Sequence, residues 1–391
     1  MNQRDVVILA GARTPLGKLS GTISGLSAVE LGAAALRGAI ERSGVDVGDI
    51  DAVILGQVLQ AGAGQGPARQ VSIAAGIGWS VPATTINKLC LSGLTAVIDG
   101  ARLIRTGEAE VVAVGGQESM SNAPHLLMGS RKGWGYGTVS VLDHTAVDGL
   151  TDAFDHDSMG LSTERHNVPL GISRGDQDKV AAASHQRAAA AADLLAEEIV
   201  PVTIHGRKGD TVVSVDEGVR PDSTVDSLSG LKPAFSPDGT ITAGNSSPIS
   251  DGAAALILAS REYAEAHGLE WLAVVGAAGQ VAGPDNSLHA QPAHAIAAAL
   301  ERGGWETGDL DFVEINEAFA AVSLHSSRAL GISMDKVNIH GGAIALGHPI
   351  GASGARLALH AAYELKRRGS GRAAVSLCGG GGQGEALLLS R

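Results

Sequence analysis

Three residues in this chain pair a reactive side chain with a local setting that could put it to work. Cys90 lies in Asn87-Lys-Leu-Cys-Leu-Ser-Gly93, between a short β-like run and a helical pattern. A cysteine at a helix N-terminus faces unpaired N–H groups and the positive end of the helix dipole, which favours thiolate. A lone cysteine is also commonly a small buried hydrophobe. His348 sits in Gly341-Gly-Ala-Ile-Ala-Leu-Gly-His-Pro-Ile-Gly-Ala-Ser-Gly354, where glycines permit sharp turns and close approach and Pro349 stiffens the chain. A histidine held there can act as general base toward a thiol, or can be a turn residue bonded to backbone. Cys378 ends the strand-like run Arg372–Leu377 and precedes Gly379-Gly-Gly-Gly-Gln-Gly384. Exposed N–H groups of such a loop can stabilise an oxyanion, cradle a phosphate, or simply turn the chain.

Other patterns fail on spacing. Gly11–Lys18 resembles a phosphate-binding loop but is one residue too long, is interrupted by Pro15, and has Leu19 where Ser or Thr is needed. Gly62-Ala-Gly-Gln-Gly66 lacks the dinucleotide-binding spacing. The two cysteines and 13 histidines show no C-x-x-C or H-E-x-x-H pairing, so no metal site is expected.

The elements that would position these residues follow an α/β rhythm. Asp5–Ala10 reads as a buried strand, Ser27–Ser43 as a helix, Ala52–Leu55 as a strand and Ala68–Ala75 as a helix. Gly93–Arg105 is a further helix, and Ala109–Val114 a strand. From about Ser121 to Ser250 the rhythm breaks, with Arg174–Ile199 the one long helical stretch; this reads as a large insertion carrying binding loops. The rhythm resumes at Ala253–Ala259. Hydrophobic residues are 44% of the chain but aromatics only 3%, so small aliphatic side chains must build the core, at close helix–sheet spacing.

The chain also repeats itself. Gly48-Asp-Ile-Asp-Ala-Val-Ile answers Gly308-Asp-Leu-Asp-Phe-Val-Glu, and the 260-residue offset carries Cys90 to position 350, inside the His348 turn. Thr85–Gln117, ending in Gly115-Gly116-Gln117, has the layout of Val337–Gln383, ending in Gly381-Gly382-Gln383. Two halves related by a pseudo-twofold axis would let the Cys90 and His348 turns meet. A net charge of −12 disfavours general nucleic-acid binding. No apolar run reaches membrane-span length, no secretory pattern opens the chain, and two cysteines give no disulfide framework. A cytoplasmic protein with reduced thiols is expected.

Taken together, Asn-x-x-Cys-x-Ser-Gly at 87–93, Asn-Glu-Ala-Phe-Ala at 316–320, Gly-His-Pro-Ile-Gly at 347–351 and Cys-Gly-Gly-Gly-Gly-Gln-Gly at 378–384 resemble the signatures of the thiolase family, in order and spacing. Gly11-Ala-Arg-Thr-Pro, Gly116-Gln-Glu-Ser-Met-Ser and Thr242-Ala-Gly-Asn-Ser-Ser extend the resemblance along essentially the whole chain, toward the short-chain biosynthetic group. It implies a thiolase fold: an α/β protein of two similar βαβαβαββ halves forming a layered α/β/α/β/α core, with an inserted loop domain. The halves would span 1–120 and 274–391, the loop domain 121–250, and a return segment to the first half 251–273.

The resemblance further implies a ping-pong Claisen condensation of two acetyl-CoA to acetoacetyl-CoA and CoA, and the reverse thiolysis. Cys90 would carry the acyl group, His348 would be its base, and Cys378 would move the α-proton. Asn316 would hold a water that, with His348, receives the enolate oxygen. The N–H groups of Cys90 and Gly380 would form a second oxyanion hole. Arg220, Ser227, Phe235, Ala243 and Ser247 fall at CoA-contact positions, and Leu150, Met159, Ala318 and Phe319 would line the slot near the reacting carbons. No cofactor beyond the CoA substrates is expected, nor any nucleic-acid or membrane partner, and residues 121–142 resemble a segment that assembles dimers into a homotetramer. Two departures touch acyl preference: Ser158 rather than His precedes Met159-Gly160, and Leu288-His-Ala-Gln-Pro292 replaces Met-Gly-x-Gly-Pro. A degradative 3-ketoacyl-CoA thiolase of broader chain length is therefore the nearest alternative. A cysteine hydrolase would leave Cys378 without a purpose, and a non-catalytic CoA or lipid carrier would need none of the three reactive residues.

Overall fold

The computed structural model describes residues 4–207 and 209–391. Nine strands of its main sheet are β1 (Val6–Arg13), β2 (Ala52–Gly56), β3 (Ala83–Ile86), β4 (Val111–Ser119), β5 (Ser250–Ser260), β6 (Ala273–Ala282), β7 (Phe312–Ile315), β8 (Arg372–Gly379) and β9 (Gln383–Ser390). They run in the order β7-β8-β9-β6-β1-β5-β4-β2-β3, with the short Gly17–Lys18 strand paired to β5. Within the first half, the order is first-fifth-fourth-second-third strand. The second half repeats it, its third strand reduced to a single parallel bridge from Val337 to Val313. The halves join where Val6, Val7 and Ile8 pair antiparallel with Val275, Val274 and Ala273.

The alternation of side chains sorts these strands into layers. Val6 and Ile8 face a central core with Leu94 and Val97 of α3 (Ser92–Thr106) and Leu357 and Leu365 of a late helix, Ser353–Arg368. Val7 and Leu9 face the opposite way, onto Leu31 and Leu36 of α1 (Ala28–Ser43), with Val71 of α2 (Pro67–Ala74) in the same cluster. In the second half Val375 and Leu377 face the central helices, while Val313 and Ile315 meet Ile296 and Leu300 of the helix Gln291–Gly303. Helices thus cover both outer faces and fill the middle, which is the five-layer α/β/α/β/α order.

The shared Gly-Asp-x-Asp segment has one job in both halves. Asp51 accepts the N–H groups of Glu110 and Val111 at 2.7 and 3.0 Å, and Asp311 accepts that of Arg372 at 2.8 Å. Each aspartate therefore pins the start of the strand that follows the central helix of its half. The second pair of segments shares its layout of strand, turn, helix and strand, but the closing Gly-Gly-Gln does not correspond: Gly115–Gln117 lie inside β4, whereas Gly381 and Gly382 form the turn between β8 and β9. Arg174–Ile199 is also not one helix. It runs Arg174–Ala190 and then Ala192–Ala196, because Ile199 leaves to bridge Arg13 and Glu198 turns in to bind the buried Arg13 guanidinium at 3.0 Å.

The two central helices cross at their N-termini. A Cβ on Gly354 would overlap the Leu94 backbone nitrogen, and one on Gly93 would come within 2.8 Å of the Ala355 nitrogen. We expect Gly354→Ala to destabilise the fold by about 1–3 kcal/mol, the scale of overpacking in a dense core. Urea denaturation would show this as a lower midpoint at unchanged slope; an unshifted midpoint would mean that the crossing can relax.

Candidate active site

The Cys90 turn is built by its own motif. Asn87 Oδ1 accepts the Leu89 N–H at 3.1 Å, Ser92 Oγ accepts the Lys88 N–H at 2.8 Å, and the same hydroxyl donates to the Leu89 carbonyl at 2.6 Å. Leu89 is held at φ +54, a left-handed conformation that a branched side chain rarely takes. The polar ring of Asn87 and Ser92 over-determines the turn and so sustains that strain. Cys90 follows, half-buried, just ahead of α3.

The His348 turn is pinned from several sides. The His348 N–H donates to Ser250 Oγ at 3.0 Å, and the Gly351 N–H to Glu118 Oε2 at 2.9 Å. Ser353 Oγ donates to the Pro349 carbonyl at 2.9 Å and lies 2.5 Å from His348 Nδ1. A hydroxyl has one hydrogen, and Ser353 has already given it to Pro349, so it accepts from His348 Nδ1–H. The neutral imidazole then keeps its lone pair on Nε2, the nitrogen that a base needs. Asn316 Nδ2 lies 3.3 Å from that Nε2, while its buried Oδ1 has no hydrogen-bond partner among the described residues.

Cys378 ends β8, 1% exposed, opposite Gly384. Cys90, His348, Cys378 and Gly380 all line one cavity of about 710 Å³. Leu150, Met159, Phe235, Ser247, Ala318 and Phe319 line it too. Phe235 lies flat against Gly160, where a Cβ would overlap the ring, and meets Phe319 edge-on at 6.1 Å. Asn316 stands behind His348 rather than on the wall. Arg220, Ser227 and Ala243 are exposed and do not line the cavity; Ser227 is tied into the cap of a short helix, Val225–Ser229.

Of the wall at 146–154, sequence reasoning named Leu150 alone as lining and took Asp148–Phe154 only as a likeness to the short-chain group. Residues 146–154 form it continuously, together with Leu89, Met120, Ile249 and Ile350. Their signal is faint, because apolar residues in an irregular insertion carry no periodicity. Leu288, which stands out in the sequence only as a departure from the family pattern, lines the cavity and packs in one apolar cluster with Cys378.

The expected resting thiolate is not what this site favours. Burial pushes the Cys90 thiol up to about 12, with the Glu118 charge adding to the rise. Burial also pushes His348 down to about 3, and the nearby Arg356 charge adds to that fall. Cys378 is raised further, by burial and then by Cys90. Desolvation outweighs the helix dipole here, so the resting pair is thiol and neutral imidazole.

Known proteins resemble this chain in sequence. The thiolase N-terminal domain matches residues 6–262 and the thiolase C-terminal domain residues 269–391. The chain belongs to the thiolase family. A probable acetyl-CoA acetyltransferase of Mycobacterium tuberculosis is 57% identical over 386 residues, 98% of each chain. An acetyl-CoA acetyltransferase of Cupriavidus necator is 47% identical over 390 residues, 99% of each, and one of Pseudomonas aeruginosa 46% over 391, covering 99% of this chain and all of that one. Among the described residues of this thiolase, no helix is long and apolar enough to cross a membrane.

Since the thiol pKa lies far above neutrality, alkylation of Cys90 by iodoacetamide in the free thiolase should be slow at pH 7. It should climb about tenfold per pH unit from 6 to 9, tracking the thiolate fraction. A plateau below pH 8 would show a resting thiolate instead.

Proposed function

We propose that this thiolase is an acetyl-CoA C-acetyltransferase, joining two acetyl-CoA to give acetoacetyl-CoA and CoA, and running the reverse thiolysis. The observation that carries this reading is the meeting of two thiols, half-buried Cys90 and buried Cys378, with one base-ready imidazole, His348, on a single apolar cavity. Storing an acyl group needs one thiol; generating a carbanion beside a thioester needs a second reactive group. A hydrolase would have no use for the second.

In the first half-reaction His348 Nε2 takes the Cys90 proton as sulfur attacks the acetyl carbonyl, and returns it to the departing CoA sulfur. Because neither group is ionised at rest, proton transfer accompanies attack rather than preceding it. In the second, Cys378 yields its proton to the base and takes one from the α-carbon. The resulting enolate attacks the acetyl carbon, and the expelled Cys90 sulfur recovers a proton from the base. The orphaned Asn316 Oδ1 supports its role as holder of a water at the enolate oxygen. Cys90 and Gly380 lie outside helices and strands, which suits their N–H groups to the tetrahedral oxyanion. Phe235 and Ser247 would guide pantetheine along the cavity, with Arg220, Ser227 and Ala243 meeting the nucleotide end outside it. No cofactor is needed beyond the CoA thioesters, and a cytoplasmic setting suits reactive thiols.

Cys90→Ala should abolish acyl labelling by acetyl-CoA, whereas Cys378→Ala should still acquire label yet lose condensation by at least about a hundredfold. A stable acyl group on Cys378 would overturn the assignment.

The apolar surroundings of Cys90, Met120, Leu150 and Ile350, favour a second reading as a thiolase of broader chain length. Comparing kcat/KM for four- to ten-carbon 3-ketoacyl-CoAs separates the two. We expect the four-carbon substrate to be best, since a closed wall rejects added methylenes through overlap. A steady rise toward ten carbons would favour the broader enzyme and leave the mechanism standing.

Residues 121–142 place Leu127, Met128, Trp134, Tyr136 and Val141 in one exposed apolar stretch, Tyr136 fully so. Such a stretch suits burial against another copy. Light scattering should give a mass of four chains; a clean dimer would sink the tetramer.

A further inference from the structure

We propose that His144 is a positioning residue that fixes the acyl-side wall of the cavity and thereby limits the chain length that Cys90 accepts. The inference rests on the reading of Cys90 as acyl carrier.

His144 is only 4% exposed, at the start of the segment that becomes the wall. Its Nε2 accepts the Ala61 N–H at 3.2 Å. A backbone N–H can only donate, so the neutral imidazole carries its hydrogen on Nδ1, which lies 2.7 Å from Asp148 Oδ2. One ring thus ties the 57–61 loop of the first half to the insertion. Both neighbours of the ring are fixed in turn: the His144 N–H donates to the Pro124 carbonyl at 3.2 Å, and Thr145 Oγ1 donates to the Met120 carbonyl at 3.3 Å.

What the ring braces is the wide turn Thr145–Gly149, whose residues 146–149 line the cavity and lead into Leu150. A Cβ on Gly149 would come within 3.2 Å of Ile350 and 3.4 Å of Leu59, so the turn already sits hard against the floor beneath Cys90. Leu59 is itself held, its N–H donating to Glu118 Oε1 at 3.0 Å, and the other Glu118 oxygen takes the Gly351 N–H of the His348 turn. The brace therefore runs without a gap from the catalytic base, through Glu118 and the 58–61 loop, to His144 and Asp148.

An acyl tail on Cys90 would extend among Met120, Leu150 and Ile350, which belong with Cys90 to one apolar cluster on the cavity. Their packing leaves the 145–149 turn as the part that would have to withdraw for a longer tail, because the floor belongs to the core. Cutting the His144 brace removes the polar contacts that resist such withdrawal.

The test is kcat/KM for the four-, six- and eight-carbon 3-ketoacyl-CoAs in the wild type, His144→Ala, His144→Gln and His144→Asn. His144→Ala should raise the eight- to four-carbon ratio about tenfold, on the scale at which single pocket contacts discriminate methylenes, and mainly through KM. Gln brings an amide oxygen to the Nε2 position and keeps a partner for Ala61, so its ratio should stay near the wild type; Asn keeps only the donor to Asp148 and should fall with Ala. An Ala variant of intact Tm and unchanged ratio overturns the proposal, as does an equal loss at every length. If the Ala variant does not fold, equal ratios for Gln and Asn overturn it. Acyl labelling of wild-type Cys90 runs alongside: absence of label there defeats the carrier assignment, a failure separate from that of His144.

Discussion

The structure depends on one crossing, that of two helices at Gly93 and Gly354. Each helix is the central one of its half, and each is preceded by a turn carrying one member of the reactive pair. Without side chains at the crossing, the helix starts touch backbone to backbone, and the Cys90 and His348 turns come onto the same cavity. The Gly351 carbonyl completes the fit. It lies where a Cβ on Gly56, Gly93 or Gly116 would stand, so three elements of the first half form a socket for the His348 turn. Glu118 closes that socket by accepting N–H groups from Val58, Leu59 and Gly351. Cys90 and His348 therefore come from different halves yet share one dense, inflexible joint.

That density determines the electrostatics. Removing water disfavours every charged form, and the site's charges sit to reinforce this: Glu118 stands behind Cys90, and Arg356 stands behind His348. Arg356 is itself unusual. It is 2% exposed, its guanidinium nitrogens have no hydrogen-bond partner among the described residues, and its nearest carboxylate oxygen, on Glu314, is 3.8 Å away. Such a pair is a costly feature of a core. Burial is the main reason that His348 stays an imidazole, and the Arg356 charge adds to it, while Ser353 keeps the proton on the far nitrogen. Neither Arg356 nor Ser353 lines the cavity.

Much of this could be read from the chain because local rules carried it. Glycines, the Asn and Ser of the Cys90 turn, and the paired Gly-Asp-x-Asp segments all act within a few residues of where they stand, and motif spacing records them. The repeat placed the two turns across from each other, as the crossing does. What escaped reading acts at long range. Glu118 meets Val58 and Gly351, and Arg356 faces Glu314; nothing in local spacing announces such partners. The thiolate expectation failed for a related reason. A helix N-terminus is visible in sequence, but the loss of water around Cys90 is a property of the assembled cavity, and it outweighs the dipole. At 146–154 the sequence marked a likeness to the short-chain group but not the shape of the wall, which follows from hydrogen bonds of His144 and Asp152 rather than from periodicity.

The insertion is fastened to the sheet where it leaves and where it returns. It leaves the sheet at the end of β4 and returns at the start of β5, where Ser119 pairs with Asp251. The two ends are therefore adjacent, and Asp251 fastens them by accepting the Ser121 N–H at 2.9 Å and its hydroxyl at 2.6 Å. A long excursion with adjacent, fastened ends adds little strain to the sheet beneath it. The side chains of Cys90, His348 and Cys378, and that of Asn316 behind them, belong to the core halves. The stretches Ala146–Phe154 and Ser158–Gly160, which line the same cavity, belong to the excursion. The joint at Gly93 and Gly354 holds the Cys90 and His348 turns together without any contribution from the excursion, so the cavity is assembled from two parts of the chain that are fixed by separate contacts.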